Sequence, residues 1–241
     1  MASADLPPET INPPKFVFPA AGFAHVADKF READFFLERL LECAGHEEEA
    51  AYYLSAFASA SRSVTFVMQA VMSKFPEFDE WYPAASLPLR ESELARYFVK
   101  VRNEVLKRGT MPTSWCGVSG DDGTVSYYSF TTHPGSDLPG PPIDDVHLAA
   151  KTYMVELARL MCRCYRDYDA FVDPRVTFTK RGLAAIGWTV ADLLESMGLS
   201  RTWLDIPPTD GGDLLDQQLA LLSRYAGDEV VEDLLIKYGV A

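Results

Sequence analysis

The segment from His46 to Phe75 sets the strongest constraint on what this chain can fold into. Ala50, Tyr53, Leu54, Phe57, Ser61, Val64, Met68 and Val71 recur at the spacing of one helix face. This predicts a long amphipathic helix that must bury its stripe against neighbours. Glu47, Glu48 and Glu49 fall in its first turn, where the helix dipole favours negative charge. Pro76 blocks simple continuation.

Three further helical segments supply the neighbours. One runs from about Ala24 to Ala44, with Phe30, Leu37, Leu40 and Leu41 near one face and Gly45 as its stop. A second, Glu91 to Gly109, carries Leu94, Phe98, Val101 and Val105 on its apolar stripe and stops at Gly109 before Pro112. A third, from about Ile143 to Phe171, turns Val146, Tyr153, Leu157, Leu160, Met161 and Cys164 inward. Between the last two the hydrophobic period shortens to that of strands. Ser114–Val118 and Val125–Phe130 flank an Asp122-Gly123 turn, which reads as a hairpin over about 114–131. Trp81 and Tyr82 read as packing anchors in the connection after the long helix.

Beyond Pro174 the pattern is less regular. A helix over 180–198 restarts near Gly187 with Thr189 as a cap, and Leu214–Tyr225 and a last amphipathic helix through Tyr238 follow. The expected organisation is mainly α. A proline-rich arm spans 1–22, a helical bundle with an inserted hairpin 23–172, and a helical extension 173–241.

Charge narrows the function. The net charge is −13, which disfavours binding of nucleic acid or anionic membrane by the whole surface and leaves room for a local basic cleft. Arg90, Arg96, Lys100, Arg102, Lys107 and Arg108 nevertheless crowd one segment against only Glu91, Glu93 and Glu104. A cationic helix in an acidic chain points to an anion site. Arg159, Arg163 and Arg166 form a second stripe at i, i+4 and i+7, with Asp167 placed to neutralise Arg163. Arg62 lies among small residues, Ala-Ser-Ala-Ser-Arg-Ser, that let another helix approach; Glu93 or Glu104 would be its partner.

Other classes are disfavoured. No apolar run approaches the ~18 residues of a membrane span, and the first twenty residues hold five prolines and no cationic start. The expected location is cytoplasmic, with no membrane partner. Cys43, Cys116, Cys162 and Cys164 read as buried thiols. His46-x-Glu48 lacks the Pro-Cys-x-x-Cys half of a zinc deaminase signature, so neither a metal nor a cofactor is expected.

With four main helices and Arg102-Asn103 near the end of the third, the chain resembles the HEPN superfamily of helical bundles over residues 25 to 171. In that family an arginine is followed by a polar residue and, a few residues on, by a histidine. Arg102 matches the arginine and Asn103 the polar residue, while Lys107, Arg108 and Gly109 stand where the histidine would fall. The resemblance implies an up-down bundle, a homodimer whose paired helices complete one cleft, and RNA as ligand. It implies metal-independent RNA cleavage in active members and noncatalytic binding or dimerisation in degenerate ones, in defence or toxin modules.

The catalytic candidates are therefore Arg102, Asn103 and Lys107, with Arg62, Lys100, Arg108, Arg159 and Arg163 as binding residues. Cleavage needs a base for the ribose 2′-hydroxyl and a cation for the phosphorane. Arginine supplies only the second, because it stays protonated; Lys107 supplies the first only if burial lowers its pKa. His133 and His147, flanking the Pro134–Pro142 loop, are the alternative bases. Two other readings stand beside this one: a noncatalytic interaction protein in which Arg102 and Asn103 are structural, with a protein partner, and a small-molecule binder with an apolar pocket at Tyr127, Phe130 and Tyr153.

Overall fold

The computed structural model describes residues 19–43, 46–109, 111–120, 123–133, 135–205, 207, 212–224 and 231–240. It is mainly helical. In chain order the elements are α1 (Pro19–Glu42), α2 (Glu47–Met72), α3 (Phe78–Ala85), α4 (Leu87–Glu91), α5 (Glu93–Arg108), β1 (Thr113–Gly120), β2 (Gly123–Phe130) and α6 (Val146–Asp167). There follow α7 (Asp169–Val172), α8 (Pro174–Thr177), α9 (Lys180–Ile186), α10 (Val190–Ser196), a 3₁₀ turn at Arg201–Asp205, α11 (Leu214–Ser223) and α12 (Glu232–Lys237). They fall into two compact units.

The larger unit holds α1 from Phe23 through α6, together with α12. Its core forms where the apolar stripes of α2, α5 and α6 meet. Phe98 of α5 stacks on Tyr153 of α6 at 4.8 Å with an interplanar angle of 10°, and Phe57 of α2 packs edge-on against Phe98 at 5.6 Å. Phe130 of β2 closes the cluster against Tyr97 at 5.0 Å. All five rings are buried. This aromatic packing covers Phe130 and one face of Tyr153.

The hairpin pairs Thr113 with Phe130 through Gly120 with Gly123 in antiparallel register. Gly123 is thus the first residue of β2 rather than part of the turn, and Asp121 and Asp122 lie outside the described residues. The backbone of Phe130 donates to the Asp144 carbonyl at 2.9 Å and that of Thr131 to Pro112 at 2.8 Å. The first ties the hairpin to the segment just before α6, and the second closes the base of the hairpin.

Two elements differ from the sequence reading. The connection after α2 is not a simple linker but two short helices, α3 and α4, which contain Pro83 and start with Leu87-Pro88. Pro88 sits in the first turn of α4, where its missing N–H is not needed, whereas Pro83 lies inside α3. The last long helix ends at Asp167, and the residues through Phe171 begin the smaller unit. At the other end of the chain, α12 packs on the bundle. Lys237 pairs with Asp34 at 2.6 Å and Glu38 at 2.8 Å on α1, and Cys162 Sγ of α6 donates to the Val240 carbonyl at 3.2 Å. The final helix of segment 173–241 therefore belongs with the larger unit.

The smaller unit runs from α7 to α11. Phe178, Leu183, Leu193, Leu194, Leu219 and Leu222 form its core. Gly187, at φ 69, ends α9, and Thr189 starts α10 through a reciprocal capping box with Asp192. The restart at Gly187 and Thr189 is the one the sequence predicts.

Candidate anion-binding site

Three arginines from three helices line one cavity of about 240 Å³ in the larger unit: Arg62 of α2, Arg90 of α4 and Arg96 of α5. Tyr82 of α3, Ser86 and Tyr153 of α6 complete its polar lining. The convergence depends on Ser92, which separates α4 from α5. Its backbone turns at φ −59 and ψ 121, and its hydroxyl accepts from the Ala95 N–H at 3.1 Å as the cap of α5. The same hydroxyl donates to Glu156 Oε1 of α6 at 2.9 Å. One side chain thus fixes the α4–α5 break and ties it to α6. Arg90 and Arg96 are brought to the same cavity from either side of the break.

Arg62 is held from two directions. Its Nη1 donates to Thr65 Oγ1 at 3.0 Å, and its guanidinium lies 4.2 Å from the Phe66 ring centroid. Glu104, a partner expected from the sequence, instead takes Arg108 at 2.9 Å. The reason is geometric: Glu104 and Arg108 are i and i+4 on one helix, and the pair forms locally. Among the described residues, no carboxylate lies within ion-pair distance of Arg62, Arg90 or Arg96.

The local potential is correspondingly positive. Burial pushes the Tyr82 phenol up, and the charges of Arg62 and Arg90 oppose that rise. Burial pushes Tyr153 up to about 12, again against Arg62. Both phenols stay protonated at neutral pH and can donate hydrogen bonds. The first turn of α5, which contributes Ala95 and Arg96, carries the positive end of a helix dipole. Arginines, phenols and a dipole end suit an oxyanion such as phosphate.

The other candidate residues are distributed differently. Arg102 is half-buried, its Nη1 donates to Asn103 Oδ1 at 3.3 Å, and its Nε is buried without a hydrogen-bond partner among the described residues. Lys100, Asn103 and Lys107 are exposed and, at about 100° per residue, share a face with Arg96. Lys107 lies about 140° around the helix from Arg102, so the two do not point at one spot. Arg108 is engaged by Glu104 and, at 3.6 Å, by Asp137.

A neighbouring cavity of about 230 Å³ holds Arg159, Arg163 and Glu156. Burial raises the Glu156 carboxyl, while Ser92 and Arg159 oppose the rise. Arg163 pairs with Asp167 at 3.5 Å, as the sequence spacing predicts, and donates to the Ala84 carbonyl at 3.2 Å.

His133 bonds the Met111 carbonyl at 3.1 Å. His147 sits at the start of α6 beside Tyr128, where burial lowers its pKa. Among the described residues there is no group of three or more His, Cys, Asp or Glu side chains fit to hold a metal, and no helix is long and apolar enough to cross a membrane.

The sequence counts Arg90 and Arg96 within the cationic segment but does not single them out. Their only signal is position, one on each side of Ser92, a residue type suited to an N-cap.

The larger unit is therefore a helical bundle with a hairpin and an arginine-lined cavity. The family model described as bacteriophage lambda protein ea47 matches residues 46–120, less than a third of the chain. The matched segment includes Arg62, Arg90, Arg96 and Arg102. No curated protein and no solved structure matches the chain.

Proposed function

We propose that this chain is an RNA-directed, HEPN-like protein of the noncatalytic kind, which holds an RNA backbone phosphate between Arg62, Arg90 and Arg96. The observation that carries the reading is the lining of one cavity by these three arginines, none of which has a carboxylate partner among the described residues. Like charges gathered in this way repel, and a bound anion reverses the sign of that term. Arginine matches phosphate through paired N–H donors. Lys100, Asn103 and Lys107 extend a polar ridge along α5 from Arg96, about 16 Å of helix. A backbone with successive phosphates fits such a ridge better than a single small anion does.

Binding rather than cleavage follows from the side chains present. Arg102, the motif arginine, cannot take a proton from a 2′-hydroxyl. Lys107 is exposed, so the burial that makes a lysine a base is lacking. Glu156, the carboxyl raised by burial, lines the neighbouring cavity and is bonded to Ser92.

The test is fluorescence anisotropy of a labelled single-stranded RNA over a range of salt concentrations. One phosphate in the pocket and one each at Lys100 and Lys107 on the ridge predict a slope of log K against log salt of about −2. Simultaneous Arg62→Ala, Arg90→Ala and Arg96→Ala changes remove the binding, while circular dichroism stays helical and the RNA remains intact. Salt-insensitive binding, or binding unaltered in the triple variant, contradicts the proposal.

A further inference from the structure

We infer that Phe66 is a stacking platform for a nucleobase beside the arginine cavity, so that the RNA taken there is single-stranded. This deepens the reading above and rests on it.

Phe66 is 50 % exposed on α2, on the same helix as the buried Phe57, Val64 and Met68. A half-exposed phenyl ring contributes little to the core. Among the described residues its one ring contact is the Arg62 guanidinium at 4.2 Å, and Arg62 is also part of the cavity lining. Thr65, whose hydroxyl accepts from Arg62 Nη1, lines the cavity too. The Arg62 guanidinium therefore meets both the cavity-lining Thr65 hydroxyl and the Phe66 ring. A nucleotide whose phosphate meets Arg62 has its base within reach of Phe66, and base, ring and guanidinium form one stack.

Such stacking favours unpaired bases. In a duplex the base faces are already covered by their neighbours, and recognition passes to backbone and groove. An aromatic platform next to a cationic site is the arrangement by which proteins take single strands with little sequence preference. Arg62 against the ring adds a cation–π contact that keeps the platform positioned before RNA arrives.

The experiment compares a short labelled oligoadenylate, a backbone oligonucleotide of the same length lacking bases, and an RNA duplex, each with the wild type and with Phe66→Leu. Leucine keeps the apolar bulk and helix propensity at an exposed position, and circular dichroism checks the fold. The expected result is a loss of about tenfold in oligoadenylate affinity with Phe66→Leu and a much smaller loss for the abasic strand, which feels only the missing ring contact to Arg62. The wild type binds the duplex more weakly than the single strand.

Equal oligoadenylate affinity for wild type and Phe66→Leu overturns the stacking inference while leaving the arginine pocket standing. A wild type with no affinity for any of the three probes overturns the RNA reading itself, and the stacking inference with it.

Discussion

The indole N–H of Trp81 donates to Asp167 Oδ2 at 2.8 Å, joining α3 to the last residue of α6 across 86 positions of sequence. Asp167 also receives Arg166 at 2.9 Å and Arg163 at 3.5 Å. One carboxylate thus gathers an indole and two guanidinium groups at the end of α6. Arg163 in turn bonds the carbonyl of Ala84, so α3 is held from two sides.

Replacing Asp167 with Asn removes the charge and keeps one acceptor. The hydrogen bond from Arg166, with those of Trp81 and the charges of Arg166 and Arg163, holds the Asp167 carboxyl below its usual range. A depressed carboxyl contributes stability above its unfolded value and loses it as pH falls through the folded one. Asp167→Asn should therefore lower Tm at neutral pH, with the gap to wild type closing below about pH 4. Trp81→Phe should cost about 1 kcal/mol, or about 2–4 °C, for loss of a partly exposed charge-assisted bond. Thermal melts across pH measure both.

Glu156 predicts the opposite pH behaviour. Burial raises its carboxyl despite the Ser92 bond and the Arg159 charge. A raised carboxyl contributes stability below its unfolded value, lost as pH rises through the folded one. Glu156→Gln keeps an oxygen for the Ser92 hydroxyl and carries no charge. It should melt with wild type near pH 4 and above wild type at pH 7. A variant less stable than wild type at pH 7 contradicts this.

Gly182 lies in the first turn of α9, where the chain passes close to α8. A Cβ at this position would collide with the Val176 carbonyl oxygen and with Thr177 Cα, both backbone atoms. Neither can rotate away as a side-chain tip does. Gly182→Ala should destabilise the smaller unit by about 1–3 kcal/mol, read as an earlier change in the fluorescence of Trp188 and Trp203, which pack on its core.

The long helices were legible because each carries an apolar stripe at helical spacing, and the ladder of the hairpin because its period shortens to two. The boundaries of α3 and α4 were not, since each helix is too short to show a period. The site divides in the same way. Arg163 and Asp167 are i and i+4 on one helix, a relation that spacing alone reveals. Arg62, Arg90 and Arg96 meet only because Ser92 breaks the chain between α4 and α5 while α2 packs alongside, and Trp81 and Asp167 are too distant in sequence for any local pattern. Arg62 could be marked from its small neighbours, but its contact with Phe66 needed the side-chain geometry.

The most direct test of the arginine pocket is to follow arginine side-chain Nε–Hε resonances by NMR while single-stranded RNA is added. Arg62, Arg90 and Arg96 should shift together along one saturation curve, while Arg108 and Arg163, held by carboxylates, should move little. Shifts confined to Arg102, Arg159 or Arg163, with the three pocket arginines unmoved at saturating RNA, would contradict it.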